Sequence, residues 1–128
     1  NGLIYGGTII SELSGGSFQT VFELPPFSKD TIGSIVGLNS SGDFWVSERF
    51  VSGRNKGQYD NVLHHAEYGR VSVRDLIHPS QLDVYRDNMP QKTLMERDAT
   101  CDWPVMYQSY VPGSEGVVML VPYPYQRN

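Results

Sequence analysis

The chain is poor in cysteine and in basic residues. Cys101 is the single cysteine among 128 residues, so no internal disulfide can form. Chains without disulfides are typical of reducing compartments, and we therefore expect a cytoplasmic protein. Ten Lys and Arg stand against 14 Asp and Glu, which gives a formal net charge of −4. Nucleic-acid binding needs clustered positive charge to neutralise phosphates, so the composition argues against direct nucleic-acid contact.

Long apolar runs and metal-ligand spacings are missing as well. No run approaches the ~20 residues that a membrane-spanning helix needs, and no signal-peptide pattern is visible, so we expect no membrane contact from this segment. His64, His65, Glu67 and His78 are the candidate zinc ligands. They do not form an H-x-x-x-H, H-E-x-x-H or C-x-x-C pattern. We therefore predict no metal site.

Apolar and aromatic residues are plentiful, at 39% and 12% of the chain, and the length fits one domain with a packed core. Apolar runs that flank glycine-containing polar turns predict β-hairpins. In the second run, residues 17–24, Phe18, Thr20, Phe22 and Leu24 alternate with other residues such as Gln19 and Glu23, the period of a half-buried strand. The predicted hairpins cover residues 3–24, 31–51 and 103–121.

The middle of the chain predicts short helices. Residues 60–68 have the length of one helical segment, and residues 72–75 have the spacing of a capping box. Pro79 suits the first position of a further helix, with His78 as its cap, and Leu82, Tyr85 and Met89 share one face of it. The order of strands, helices and strands predicts an α+β fold, an antiparallel sheet with short helices packed on one side.

Two segments resemble the PAS family of sensory domains. Residues 34–44, SIVGLNSSGDF, look like the first PAS hairpin, and residues 75–82, DLIHPSQL, resemble the family's LIHPDDL segment. The likeness spans residues 31–125, and the last half is also similar to amino-terminal regulatory domains of bacterial transcription activators. The resemblance implies a PAS-like domain at residues 28–128, preceded by a β-hairpin extension at residues 1–27.

Catalysis is not indicated. His64, His65 and Glu67 could mimic a small ribonuclease site, but neighbouring side chains on a helix point roughly 100° apart and would not share one substrate. Nothing beside Cys101 would activate its thiol, which we predict to be buried or half-buried. Among PAS cofactors, haem ligation is disfavoured because residues 80–88 lack histidine, and the reactive-cysteine motif of the flavin-binding branch is missing. The cofactor stays unknown.

Aromatic side chains are the best candidates for ligand contacts, because Tyr and Trp combine apolar area with a polar tip. The predicted ligand-binding residues are Trp45, Tyr59, His64, Tyr68, Tyr85 and Trp103. The leading hypothesis is a non-catalytic sensory or regulatory domain that binds a small molecule, or forms a homodimer through its sheet, to control an attached output module. The alternatives are a β-rich structural or assembly module, and a small nuclease or toxin domain.

Overall fold

A computed structural model describes residues 3–24, 29–83, 85, 91–109 and 118–120. Regular structure in these residues is almost entirely β, with two short 3₁₀ turns at Val73–Leu76 and Pro79–Gln81. The α+β prediction is therefore wrong. The strands are β1 (Leu3–Gly6), β2 (Ile9–Ser14), β3 (Ser17–Glu23), β4 (Thr31–Leu38), β5 (Phe44–Phe50), β6 (Tyr59–His65), β7 (Gly69–Ser72), β8 (Gln91–Arg97), β9 (Pro104–Ser109) and β10 (Val118–Leu120).

The strands form three antiparallel sheets, each made of consecutive strands. The N-terminal sheet is β1-β2-β3, the central sheet is β4-β5-β6-β7, and the C-terminal sheet is β8-β9-β10 with β9 in the middle. The central sheet lies between two hydrophobic cores, one on each of its faces. The N-terminal sheet packs against one core and the C-terminal sheet packs against the other.

The sequence of β5 shows why both faces of the central sheet are buried. Side chains alternate across a strand, so Trp45 points to one face while Phe44 and Val46 point to the other, and all three are buried. The Trp45 side packs on β8, β9 and the 3₁₀ turns through Leu63, Val73, Leu76, Ile77, Tyr85, Leu94 and Met106. The Phe44 side packs on the N-terminal sheet through Ile10, Leu24, Ile35 and Val46.

The helix predicted over residues 60–68 is the strand β6. Val62 and Leu63 are both fully buried although they point to opposite faces. A strand buried on both faces has no polar alternation, and periodicity alone does not separate it from a helix. Gly69, with φ +82°, is the first residue of β7 and pairs with His65, so it does not end a helix.

The other helical predictions are partly correct. Pro79 opens a 3₁₀ turn and the Nδ1 of His78 accepts a hydrogen bond from the Ser80 amide at 3.1 Å, so the predicted cap is confirmed. The capping box is wrong, because Ser72 makes no side-chain cap hydrogen bond. The turn ends at Gln81 instead of continuing as the predicted helix, and Met89 lies outside the described residues.

Two of the predicted hairpins are present, and the first one differs from the prediction. β4 and β5 pair as the hairpin predicted over residues 31–51, with the turn at residues 39–42. β9 pairs with β10 in the range predicted for the last hairpin, and the residues between these two strands lie outside the described part of the chain. The first hairpin is instead a three-stranded sheet, because Gly7, at φ +57°, adds a second turn. Residues 25–28 are not described, so the division into residues 1–27 and 28–128 stays a prediction.

Gly37 marks the place where β4 approaches β8, and it gives a test of this packing. A β-carbon at Gly37 would lie 2.9 Å from the Leu94 β-carbon. We expect Gly37→Ala to lower the free energy of unfolding by about 1–3 kcal/mol through overpacking, measured by urea denaturation. Gly6→Ala is the control, because nothing lies within 4 Å of the added carbon. Equal stability of the two variants would contradict the close approach.

Candidate functional site

A fully buried carboxylate lies at the junction of the central and C-terminal sheets. Asp43 precedes β5 and has no exposed side-chain surface. Arg97, at the end of β8, donates to it twice, from Nε to Oδ2 at 2.9 Å and from Nη2 to Oδ1 at 2.7 Å. The Ala66 amide donates to Oδ1 at 2.9 Å and Asn39 Nδ2 donates to Oδ2 at 2.9 Å. Each carboxylate oxygen therefore accepts two hydrogen bonds.

These donors hold Asp43 in its charged form. Burial by itself would raise the pKa of Asp43, but the hydrogen bonds from Arg97, Ala66 and Asn39 and the positive charge of Arg97 together lower it from 3.8 to about 2. The same contacts raise the pKa of Arg97. A carboxylate whose oxygens already accept four donors is a poor proton acceptor, so Asp43 is suited to joining the sheets rather than to base catalysis.

The turn before Asp43 strengthens the same junction. Asn39 Oδ1 accepts from the amides of Ser41 and Asp43 at 3.1 and 3.0 Å, which closes the turn. Asn39 Nδ2 also donates to the Met95 carbonyl at 3.1 Å, and the Ser40 amide donates to the Glu96 carboxylate at 3.0 Å. Both Met95 and Glu96 belong to β8, so the turn binds β8 at several points.

His65 is engaged on both ring nitrogens. Its Nδ1 accepts from the amides of Glu67 and Tyr68 at 3.0 and 3.2 Å, and its Nε2 lies 2.6 Å from the Asp102 carbonyl. Since a carbonyl only accepts, Nε2 carries the proton and donates it, and the ring is neutral. Both nitrogens hold backbone groups, so His65 has no position free for acid–base work.

Two of the six predicted ligand-binding residues meet at the surface above His65. Tyr68 stacks on Trp103 with ring centroids 5.4 Å apart and on His65 at 4.5 Å. Tyr68 is exposed, Trp103 is half-buried, and the Tyr68 hydroxyl lies 3.5 Å from Asp102 Oδ2. The rings pack on one another, and this packing orders the turn that follows β6.

Two further predicted residues are joined inside the core. Trp45 Nε1 donates to Asn61 Oδ1 at 3.1 Å, and Asn61 Nδ2 donates to the Tyr85 hydroxyl at 3.0 Å. All three side chains are buried, and the Arg74 guanidinium lies 5.2 Å from the Tyr85 ring centroid. The chain of contacts satisfies polar groups in the larger core, as buried polar groups require.

The remaining predicted residues lie elsewhere. His64 points to the opposite face of β6 from His65 and stacks on Phe44 with ring centroids 4.6 Å apart. Tyr59 is exposed at the start of β6. The six predicted residues are thus distributed over the surface and both faces of the central sheet. A cavity of about 380 Å³ lies at Leu3, Leu38, Asn39 and Ser40, none of which was predicted.

Glu48 is a second buried carboxyl group, on the same face of β5 as Phe44. Burial raises its pKa, Arg70 offsets part of this effect, and Asp60 adds to it. Its Oε2 lies 3.5 Å from Arg70 Nη2. A raised carboxyl pKa is common among general acids. Here the group is 2% exposed and is held against Arg70, which makes it part of a structural ion pair.

The feature that sequence reasoning missed is an apolar surface on the N-terminal sheet. The residues of that sheet supply most of the exposed large apolar side chains in the described part of the chain, namely Leu3, Ile4, Tyr5, Ile9, Leu13, Phe18 and Val21. The strand register puts Tyr5, Ile10 and Phe22 on the face toward the central sheet. The opposite side carries Ile4, Ile9, Leu13 and Phe18, and we call these four residues the outer apolar face.

A β-bulge explains why this surface was missed. Phe22 is opposite Ile10 while Thr20 is opposite Ser11, so Val21 is an extra residue in β3. The bulge reverses the alternation, and Phe18 therefore points away from the core that Phe22 contacts. Simple alternation had placed both on one face. Residues 3–5 are all apolar, and consecutive side chains in a strand point to opposite faces. This pattern could have indicated a sheet that is apolar on both faces.

The chain matches no protein-family model, and neither the curated proteins nor the solved structures contain a match to it. The PAS resemblance therefore stays a prediction from the residues, while the fold that it implied is wrong. Within the described ranges, no three His, Cys, Asp or Glu side chains are grouped to hold a metal ion. The described helical turns include none long and apolar enough to cross a membrane. The Cys101 side chain is exposed, which contradicts the predicted burial.

The buried ion pair gives a stability test. Arg97→Met would leave the Asp43 charge buried without its cation, and we expect a loss of about 3–5 kcal/mol in the free energy of unfolding, measured by urea denaturation at pH 7. Glu67→Gln is the control, because it removes an exposed contact to the same arginine at 3.2 Å and should cost less than about 1 kcal/mol. A loss in Arg97→Met no larger than in the control would show that the pair is not essential.

His64 gives a pH test. Burial, with a contribution from Arg70, lowers the pKa of His64 from 6.5 to about 4. Between pH 6.5 and 4 the unfolded chain binds a proton at this site that the folded chain does not, so stability falls as the pH falls. We expect His64→Phe to have a shallower decline in unfolding free energy over this range. The same slope in both proteins would argue against a half-buried His64 that stays neutral over this range.

Proposed function

We propose that the chain is a non-catalytic assembly module that joins a second copy of itself through the outer apolar face. The observation that supports this is the exposure of Ile4, Ile9, Leu13 and Phe18 on one side of the N-terminal sheet. Contiguous apolar patches on soluble proteins commonly mark interaction sites, because covering them removes apolar surface from water.

The charge distribution favours a second copy as the partner. Residues 1–28 contain no Lys, Arg or His, and Glu23 is the charged residue on the outer side of the N-terminal sheet. Homodimer interfaces are more apolar than other interfaces and are depleted in charge at their centre. When two copies of this face come together, no unpaired cation is removed from water. Like charges would face each other only at the end of the face where Glu23 lies.

This proposal keeps part of two sequence hypotheses. It adopts the β-rich assembly module. It retains dimerisation through a sheet from the sensory hypothesis, and it places the contact on the N-terminal sheet. The predicted ligand-binding residues are distributed over the surface and both faces of the central sheet, which gives small-molecule binding less support. His64 and His65 point to opposite faces of β6, so the nuclease hypothesis gains no support either.

Sedimentation velocity over a range of protein concentrations tests the proposal. We expect a dimer whose dissociation constant rises at least tenfold in Phe18→Ser, because burying a Phe side chain contributes roughly 1.5–3 kcal/mol. In a two-fold dimer the substitution is present on both sides of the interface. Ile32→Ser is the matched control, since Ile32 on β4 is 56% exposed and Phe18 is 55% exposed.

The proposal predicts that the control dimerises as the parent protein does. A chain that stays monomeric at every concentration, or a dimer weakened equally by Ile32→Ser, would overturn it. Near-equal thermal unfolding temperatures of the two variants would show that both are folded.

A further inference from the structure

The two ends of the central sheet carry opposite charges. At one end lie the turn after β4 and the turn after β6, and the segment after β8 is bound to them. At the other end lie residues 29–30 and the loop of residues 51–58. β5 runs from one end to the other, and its seven residues separate the ends by roughly 20 Å.

The basic end carries four exposed cations, which are Lys29, Arg49, Arg54 and Lys56. In the described part of the chain these four side chains form no ion pair. The last two belong to residues 51–58, which we call the basic loop. Charged groups that have no partner within their own chain are available to a partner of opposite charge.

Hydrogen bonds hold the basic loop in place. The Gly57 amide donates to the Phe50 carbonyl at 2.8 Å, which ties the loop to the end of β5. The Ser52 hydroxyl donates to Asp30 Oδ1 at 2.7 Å, which ties the start of the loop to the segment before β4. A loop that is already held costs less conformational entropy when it binds.

The opposite end carries four exposed carboxylates, which are Glu67, Glu96, Asp98 and Asp102. Arg97 lies among them, but its Nη2 is 2.7 Å from Oδ1 of the buried Asp43. The charge of this arginine is therefore balanced inside the protein, and the surface around it is acidic.

An exposed aromatic ring lies beside two of these carboxylates. Tyr68 is 56% exposed, and its ring is tilted by 22° from that of Trp103. His65 holds the surroundings of both rings, because its Nδ1 accepts from the Glu67 amide and its Nε2 donates to the Asp102 carbonyl. A cation over an exposed Tyr or Trp ring is attracted by the ring. We call Glu67, Tyr68, Asp102 and Trp103 the acidic aromatic surface.

We propose that the basic loop of one copy binds the acidic aromatic surface of the next, so that copies associate head to tail. Arg54 stacks on Tyr68 and pairs with Asp102, because a guanidinium is planar and combines ring stacking with carboxylate binding. This inference goes beyond the proposed function. It uses neither the outer apolar face nor the dimer formed through it.

The charge of the whole chain favours this arrangement of two copies. The formal net charge is −4, so two copies repel one another when their acidic surfaces meet. Alignment of a basic end with an acidic end brings unlike charges together. The basic loop therefore has the charge and the side-chain types that the acidic aromatic surface fits, and the same chain supplies both.

The contact differs in symmetry from the dimer through the outer apolar face. It joins two different surfaces, and contacts of that kind continue from copy to copy unless the rotation closes a ring. The two surfaces lie at opposite ends of β5, so binding at one end leaves the other end available. Exposed ion pairs are individually weak and are screened by salt. We therefore expect short chains of copies at low ionic strength.

Sedimentation velocity of Phe18→Ser tests the contact apart from the outer apolar face. At about 10 mM salt, where the Debye length is about 30 Å, we expect species larger than a dimer as the protein concentration rises. At about 1 M salt, where the Debye length is about 3 Å, we expect monomers. Arg54→Glu in the same background should weaken the association at least tenfold, because it replaces attraction by repulsion.

A pair of substitutions at Tyr68 tests the aromatic part of the surface. Tyr68→Ser removes the ring and should weaken the low-salt association at least tenfold in the Phe18→Ser background. Tyr68→Phe is the matched control, because it keeps the ring, and it should associate as its parent does. Equal association of the two variants would overturn the contact with the ring.

A mixture of two variants tests the head-to-tail arrangement directly. In the Phe18→Ser background, Arg54→Glu retains the acidic aromatic surface, and Tyr68→Ser retains the basic loop. Each variant alone should be monomeric at low salt, because one of its two ends is lost. An equimolar mixture should form a heterodimer that grows no further. Formation of this heterodimer would also show that both variants are folded.

The outcomes separate this inference from the proposed function. A mixture that stays monomeric while Phe18→Ser associates, or an association unchanged at about 1 M salt, would overturn the head-to-tail contact. A chain that stays monomeric at low salt, but binds a tetra-arginine peptide through Tyr68, would mean that another cationic protein occupies the surface, and would overturn it as well. The dimer through the outer apolar face is measured in the unmodified chain at the high salt concentration, and its absence there would overturn the proposed function alone.

Discussion

The C-terminal sheet is held on the central sheet by a buried ion pair between Asp43 and Arg97, and the surrounding loops are arranged to make that pair stable. A buried carboxylate is costly unless its oxygens are hydrogen-bonded. Arg97 donates two hydrogen bonds to the Asp43 carboxylate, and Asn39 and the Ala66 amide donate the other two. The same turn then reaches β8, and the His65 ring orders the neighbouring loop. The polar residues in this region thus serve the joining of two sheets.

The outer apolar face contrasts with this junction. At the junction, Asn39, Asp43 and His65 are buried and each has defined hydrogen-bond partners. On the N-terminal sheet, Ile4, Phe18 and their neighbours are apolar and exposed, and they contribute little to the core of one chain. In most proteins charged side chains are exposed and large apolar side chains are buried. At the junction charged side chains are buried, and on the N-terminal sheet large apolar side chains are exposed. The contrast supports a division of roles, in which the junction stabilises the fold and the N-terminal sheet provides the contact between copies.

Local sequence patterns predicted the elements whose signal is local. The turn at residues 39–42 and the cap at His78 follow from residue types within a few positions, and both are present. β6 was mistaken for a helix because a strand buried on both faces has no alternation. Tyr68 and Trp103 were predicted as ligand residues and are in contact. Asp43 and Arg97 were missed, because they are 54 positions apart and no local pattern joins them.

The assembly of each sheet from consecutive strands has a consequence for how the chain folds. The strand pairs in the described residues are sequence neighbours, so hairpin contacts form across short loops, whose closure costs little entropy. β-Hairpins form in roughly 1–10 μs, whereas the contacts that dock one sheet on another link distant residues and are slower. We therefore expect docking of preformed sheets to limit the folding rate, with the Asp43–Arg97 pair formed late.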